Sequence, residues 1–178
     1  MTLSEISIQK LDSDAAQLLP VPISSYVVAG RGERFPFLNQ HAKTFFYPPP
    51  QNPDQAHAAQ LQALAFTEKW GYQIIAENGV RLGGPVYSTG SVTQSSVLCQ
   101  TRACVLNKPV VLCRSAGAAF GAAILAASSE RFSGDLAEAI RCTVHIDRVI
   151  EPEPHPVPRY GELYVKFRAD CRSKGYDS

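Results

Sequence analysis

Apolar side chains recur every three or four residues between positions 54 and 78, and this spacing predicts one long amphipathic helix. Asn52 offers an N-cap and Pro53 suits the first turn, while Gly79 is placed to end the helix. Gly71 lies inside the segment and marks a candidate bend. The apolar face predicted for this helix consists of Leu61, Leu64, Ala65, Tyr72 and Ile75.

From position 86 onward, short apolar runs alternate with helix-like segments. A β-branched run at 86–89 leads to Gly90, a helix is predicted at 95–106 with its end at Asn107, and a second apolar run occupies 110–113. This order predicts a β-α-β unit with two parallel strands, and hence an α/β fold.

The C-terminal third is predicted to be mainly helical. In chain order, the predicted segments are a Gly/Ala-rich helix at 115–132, an amphipathic helix at 134–146, a proline-rich extended connector at 150–160 and a charged amphipathic helix at 160–172. Asp135 and Glu138 have the spacing of a capping box at the start of the second helix.

The N-terminal third has weaker patterns. We expect a short strand at 6–9, a small helix around 15–19 and a long irregular segment at 21–53. An irregular segment of this length is uncommon and tends to be functional. Its aromatic residues predict that it packs onto the domain rather than extending into solvent; they are Phe35, Phe37, Phe45, Phe46 and Tyr47.

Composition and charge narrow the range of functions. The 178 residues suffice for one domain, and the net charge of +1 gives no electrostatic argument for binding nucleic acid or an anionic membrane. No apolar run approaches the roughly 18 to 20 residues that cross a bilayer, and the acidic N-terminus does not resemble a signal peptide, so we expect a cytoplasmic protein. The five cysteines form no C-x-x-C pair and the four histidines are scattered, so we expect reduced thiols and no metal site.

Five segments together resemble a known family. They are "GRGERFPF", "LQALAFTEKWGYQIIAENGV", "VYSTGSVTQSSVLCQTRACVLNKPVV", "AAFGAAILAAS" and "VIEPEPHPVPRYGELYVKFR". In this order, over almost the whole chain, they are similar to the C-terminal, nucleotide-binding half of the FGGY carbohydrate kinases, the xylulokinase and gluconokinase group.

The resemblance implies an incomplete ribonuclease-H-like (actin-like ATPase) domain at residues 1–178. It also implies a nucleotide site for ATP with Mg²⁺ and transfer of the γ-phosphoryl group to a sugar or sugar acid. The residues placed at the nucleotide by the resemblance are Gly90, Ser91, Ser95, Phe120 and Gly121.

No catalytic residue is assigned to this chain. In the family, the catalytic aspartate, the sugar site and the first phosphate loop belong to the N-terminal half, and the second phosphate loop would precede residue 1. We therefore expect a lobe that is inactive in isolation. In the resembled fold, further strands lie beside the strand at 86–89, so we also expect an unpaired edge that recruits the missing lobe or causes self-association.

The sequence departs from the family pattern around the nucleotide segment. Ser91 stands at the second glycine, Leu98 at the usual tryptophan, Cys104 at the usual aspartate and Gly117 at a position where many members have glutamate. A β-carbon at position 91 obstructs close approach of a ligand. Two interpretations stay open: a working nucleotide site, or a strand-to-helix turn that binds nothing.

Charged residues outside this segment also allow two interpretations. Arg31, Glu33 and Arg34 form either a site at the interface between domains or a buried ion pair that holds the long segment in place. Glu68 and Lys69 are interpreted as surface charges of the long helix. His57 and His145 are interpreted as surface or packing residues.

Three functions compete. The first is the ATP-binding lobe of a carbohydrate kinase, and the second is a non-catalytic, pseudokinase-like nucleotide-binding or interaction module. A dinucleotide-binding oxidoreductase is disfavoured, because the chain has no G-x-G-x-x-G and no acidic residue follows the second strand, where Cys113-Arg114 stands.

Overall fold

A computed structural model describes residues 3–115 and 117–177 of the chain. The elements in chain order are α1 Leu3–Ala16, β1 Ser24–Tyr26, β2 Phe45–Tyr47, α2 Pro53–Glu77, β3 Val86–Ser88, a 3₁₀ turn Ser91–Gln94, α3 Ser96–Leu106, β4 Val110–Cys113, α4 Ala118–Arg131, α5 Leu136–Thr143, β5 Ile146–Ile150 and α6 Val157–Ser173. The α/β class predicted from the sequence is confirmed.

Helix α2 begins and ends where its local signals predict. The Asn52 side chain accepts a hydrogen bond from the Gln55 amide at 2.9 Å, and Gly79 has a φ of +85° just beyond the end. The helix runs without interruption through Gly71, where an added β-carbon would lie 2.8 Å from the Phe35 ring. The glycine therefore makes room for this aromatic ring.

The buried face of α2 is wider than predicted. Leu61 and Ala65 are buried as expected, but Leu64 is 44% exposed, and the larger side chains of Phe66 and Trp70 are buried. The helix packs against α1, α3 and β1. These neighbours lie on several sides of α2, so they bury a wider face than the single apolar stripe that was predicted. The prediction for Leu64 is wrong for this reason.

A three-stranded sheet has the order β3-β4-β5. β3 and β4 are parallel, with Val86 opposite Val110, which confirms the predicted β-α-β unit. β5 pairs antiparallel with β4 and was not predicted, since its central residues are charged and its side chains are largely exposed. The predicted amphipathic helix at 134–146 is confirmed for Leu136–Thr143 only, with Asp135 as its N-cap.

The predicted strand at 6–9 is wrong, because these residues belong to α1. The helix places Ala15 in a buried cluster with Ala58 and Ala59 of α2. Small residues on both helices permit this close packing, which a four-residue apolar pattern cannot indicate. The small helix expected at 15–19 is also absent, since α1 ends at Ala16.

The long segment between α1 and α2 packs onto the domain, as its aromatic residues predict. Its residues supply β1 and β2, which form an antiparallel pair. Phe37 is buried, with its ring centroid 5.4 Å from that of Trp70 and 5.1 Å from that of Tyr176. Phe35 and Tyr47 are instead more than half exposed.

Candidate functional site

The turn between β3 and α3 has a backbone conformation that requires glycine. Gly90 has φ +85° and ψ −167°, a region essentially closed to residues with a β-carbon. No atom lies within 4 Å of where a β-carbon would be, and Gly90 and Ser91 are both exposed. A ligand could therefore approach the backbone of this turn closely from the solvent side.

The start of α4 belongs to the same edge of the sheet. β3 and β4 are parallel neighbours, so the turns that follow them emerge at the same end. Gly117 precedes α4, Phe120 and Gly121 lie in its first turn, and open space surrounds both glycines. The topology thus brings the predicted residues Gly90, Ser91, Phe120 and Gly121 to the edge where ligands of parallel α/β sheets bind.

Ser95 has a structural role in this arrangement. Its hydroxyl accepts a hydrogen bond from the Leu98 amide at 3.1 Å, which caps α3, and donates to Asp12 Oδ2 at 2.5 Å. The other oxygen of Asp12 lies 2.7 Å from His57 Nε2. The Ser95 hydroxyl therefore helps to fix the position of the turn, and its contact with a nucleotide stays a prediction.

A partly buried ion pair supports the strand that leads into this turn. Arg102 donates from Nε and Nη2 to both oxygens of Glu68, at 2.6 and 2.8 Å, and from Nη1 to the Ser88 hydroxyl at 2.6 Å. The Glu68 hydrogen bonds raise the pKa of Arg102. The interpretation of Glu68 as a surface charge is wrong, because its side chain is only 23% exposed and both of its oxygens are bound by the buried Arg102.

Lys69 is also not a simple surface charge. Its Nζ donates to the Val105 carbonyl at 2.9 Å and lies 5.0 Å from the centre of the Tyr164 ring. Burial lowers the pKa of Lys69. The interpretation as a surface charge could not include the packing of α3 and α6 over this part of α2, because residue spacing within one segment does not show it.

Arg31, Glu33 and Arg34 do not form the ion pair considered above. Glu33 accepts hydrogen bonds from the Tyr26 hydroxyl and from the Arg34 amide, each at 2.9 Å. Arg31 Nη2 lies 2.9 Å from His41 Nδ1, and both arginine side chains are exposed. The loop is held in place through the buried Tyr26, which leaves its positive charges at the surface.

Across the described residues, no group of three His, Cys, Asp or Glu side chains is arranged to hold a metal ion. Mg²⁺ at a nucleotide is usually bound by phosphate oxygens and water with one or two carboxylates, and Mg²⁺ at the predicted nucleotide site stays a prediction. No helix in the described ranges is both long and apolar enough to cross a bilayer.

Comparison with known proteins identifies relatives of this chain in sequence and in fold. Residues 4–130 match a family model described as the C-terminal domain of the FGGY family of carbohydrate kinases. A ribulokinase from Staphylococcus epidermidis is 34% identical over 117 residues, which are 64% of this chain and 22% of that protein. The chain therefore spans about a fifth of the length of this curated relative.

Solved structures share the fold. Xylulose kinase from Rhodospirillum rubrum superposes with a TM-score of 0.79 at 23% identity, over 96% of this chain and 35% of the kinase. Glycerol kinase from Plasmodium falciparum, solved with ADP, gives a TM-score of 0.69 at 17% identity, over 92% of this chain and 35% of that one. At these identities the likeness establishes the fold of the domain.

Proposed function

This chain belongs to the FGGY family of carbohydrate kinases, and we propose that it forms the ATP-binding lobe of a cytoplasmic enzyme that phosphorylates a sugar or sugar acid. The proposal rests chiefly on the turn at Gly90, which is open, exposed and built for close approach at the edge shared with α4. In this role the chain binds and orients the nucleotide, while the acceptor sugar and the catalytic base belong to the N-terminal half of such an enzyme.

The first turn of α3 and the preceding loop supply the polar groups for binding. The N-terminus of a helix carries partial positive charge and suits phosphate or ribose oxygens. The hydroxyl of the exposed Ser91 and the apolar ring of Phe120 offer complementary contacts for the sugar and base of a nucleotide.

Two of the departures from the family pattern lie away from this turn. Leu98 is buried in a cluster with Val21 and Ile23 of the segment before β1, together with residues of α1 and α2. Cys104 is also buried, and its sulfur accepts from the Glu153 amide at 3.4 Å. Both are changes in core packing, so they give no argument against nucleotide binding. Only Ser91 and Gly117 alter the open edge itself.

We expect the wild-type chain to bind ADP or ATP and the variant Gly90→Ala to lose most of that affinity. A β-carbon at this φ and ψ costs about 1–3 kcal/mol and forces the turn to change its path, which corresponds to roughly a tenfold loss or more. Isothermal titration with Mg·ADP and Mg·ATP measures the change. Gly83→Ala is the matched control, since Gly83 has negative φ, open space and a position at the other end of β3.

Absence of heat and of a thermal shift with the wild type at millimolar nucleotide would reject the proposed function. Equal binding by wild type and Gly90→Ala would reject the assigned turn while retaining nucleotide binding. Binding without transfer activity, once an N-terminal half is added, would favour the alternative function, a non-catalytic nucleotide-binding module.

The outer edge of β3 is the proposed site for a partner strand. Within the described ranges β3 pairs with β4 only, and Tyr87 is 64% exposed. Unpaired edges recruit further strands. We therefore expect the chain alone to form dimers or larger species at high micromolar concentration, and Tyr87→Lys to reduce them, as measured by sedimentation velocity. A compact monomer across this range would contradict the proposal.

A further inference from the structure

A cavity of about 280 Å³ lies beside β3, toward the end of the strand opposite Gly90. It is formed by one face of α2, the turn that enters β3 and the C-terminal end of α3. Because the nucleotide turn follows Ser88, while this cavity borders residues 82–87, the two sites share a strand but not their openings.

Most of the cavity wall is apolar. The side chains that form it include Tyr72, Ala76, Leu82, Pro85, Val86 and Leu106. Its volume lies near the lower end of the range for small-molecule sites, roughly 300–1,000 Å³. The cavity therefore suits a small, mainly hydrocarbon ligand rather than a nucleotide.

One end of the cavity carries a cationic side chain that has no acidic partner. Lys69 lines the wall, and among the described residues no carboxylate lies within 4.0 Å of its Nζ; its contacts are the Val105 carbonyl and the Tyr164 ring. The adjacent acid, Glu68, is bound at both oxygens by Arg102. Gln73 lines the same wall, and its Oε1 accepts the Tyr164 hydroxyl, so its amide NH₂ group is available as a donor.

A second lysine strengthens the positive potential. Lys108 lines the cavity, and its Nζ donates to the carbonyls of Leu82 and Gly84 at 3.0 and 3.4 Å. These hydrogen bonds satisfy ammonium protons of Lys108 but do not neutralise its positive charge. Partial burial without an opposite charge penalises an ammonium group, as the lowered pKa of Lys69 reflects. A ligand carboxylate would supply the missing charge.

We propose that this cavity binds a small apolar monocarboxylate, whose carboxylate pairs with Lys69 while its hydrocarbon part covers Tyr72, Leu82 and Leu106. Charge selects the anion, and the apolar wall selects against strongly hydrated anions such as inorganic phosphate. The pairing also predicts a proton linkage: the bound carboxylate favours the charged ammonium, so binding raises the pKa of Lys69.

The test uses phenylacetate as the probe and phenylacetamide as its neutral match, titrated into the ¹⁵N-labelled chain. With phenylacetate we expect saturable shifts of the amide signals of residues 82–84, 86 and 87. The affinity should be weaker by about tenfold or more for phenylacetamide, and for phenylacetate with the variant Lys69→Met. Lys10→Met is the matched control, because Lys10 pairs with Asp14 on the exposed side of α1. The variant Lys10→Met should bind phenylacetate with the affinity of the wild type.

A second measurement needs no substitution. After reductive methylation with ¹³C-formaldehyde, the Lys69 methyl signals report its pKa, which should rise on addition of phenylacetate but not of phenylacetamide. Equal affinity for the acid and the amide, no saturable shift in residues 82–87, or an unchanged Lys69 pKa at saturation would each overturn the proposal.

Discussion

Replacing Arg102 with methionine is expected to lower the free energy of unfolding by about 3 kcal/mol. The substitution leaves Glu68 without the guanidinium that contacts both of its oxygens, and removes the 2.6 Å hydrogen bond to the Ser88 hydroxyl. The two ion-pair side chains are 10% and 23% exposed, so solvent compensates only partly for the lost charge. Urea denaturation followed by circular dichroism measures the change.

A double-mutant cycle distinguishes the ion pair from simple packing. Glu68→Leu combined with Arg102→Met replaces both charges by apolar groups and should recover much of the lost stability, because neither charge is then left buried alone. Arg159→Met is the control, since its pair with Glu162 is exposed and worth at most about 1 kcal/mol. A loss of under about 1 kcal/mol for Arg102→Met would contradict the structural role assigned to the pair.

The elements that the sequence predicted are those with signals at their own ends. α2 has its cap residue and closing glycine, and α3 begins after Ser95 and ends at Asn107 in the left-handed conformation. β5 lacks such signals: its polar pattern matches an exposed edge strand, and only pairing with β4 makes it a strand. For α1, packing against α2 outweighs a short apolar alternation that favoured a strand.

The candidate site likewise has one feature that the sequence could predict and others that it could not. A glycine after a β-branched run is a local feature, and the sequence located the turn at Gly90 correctly. The groups that hold the turn in place come from distant parts of the chain: Asp12 lies 83 residues from Ser95, and Glu68 lies 34 residues from Arg102. Their contacts depend on how three helices pack, which residue spacing within one segment does not encode. The same packing explains why Leu98 and Cys104 are buried in the core.

The region matched by the family model ends at residue 130, yet the largest core cluster depends on α6, which begins at Val157. Phe167 is fully buried, and its ring centroid lies 5.3 Å from that of Phe66 and 6.4 Å from those of Trp70 and Tyr26. We therefore propose that the whole chain folds as one unit, in which α6 completes a core begun by α2 and β1.

Phe167→Ala tests this proposal and is expected to cost about 3–5 kcal/mol, because it removes a buried ring and leaves a cavity among aromatic neighbours that cannot collapse onto it. Val165→Ala on the same helix is the control; Val165 is 69% exposed, and its loss should change stability by no more than about 0.5 kcal/mol. Trp70 fluorescence and far-ultraviolet circular dichroism should give one coincident transition in the wild type, since Trp70 contacts the same cluster. Two separate transitions, or a cost for Phe167→Ala as small as that of the control, would mean that α6 is an accessory to a domain complete without it.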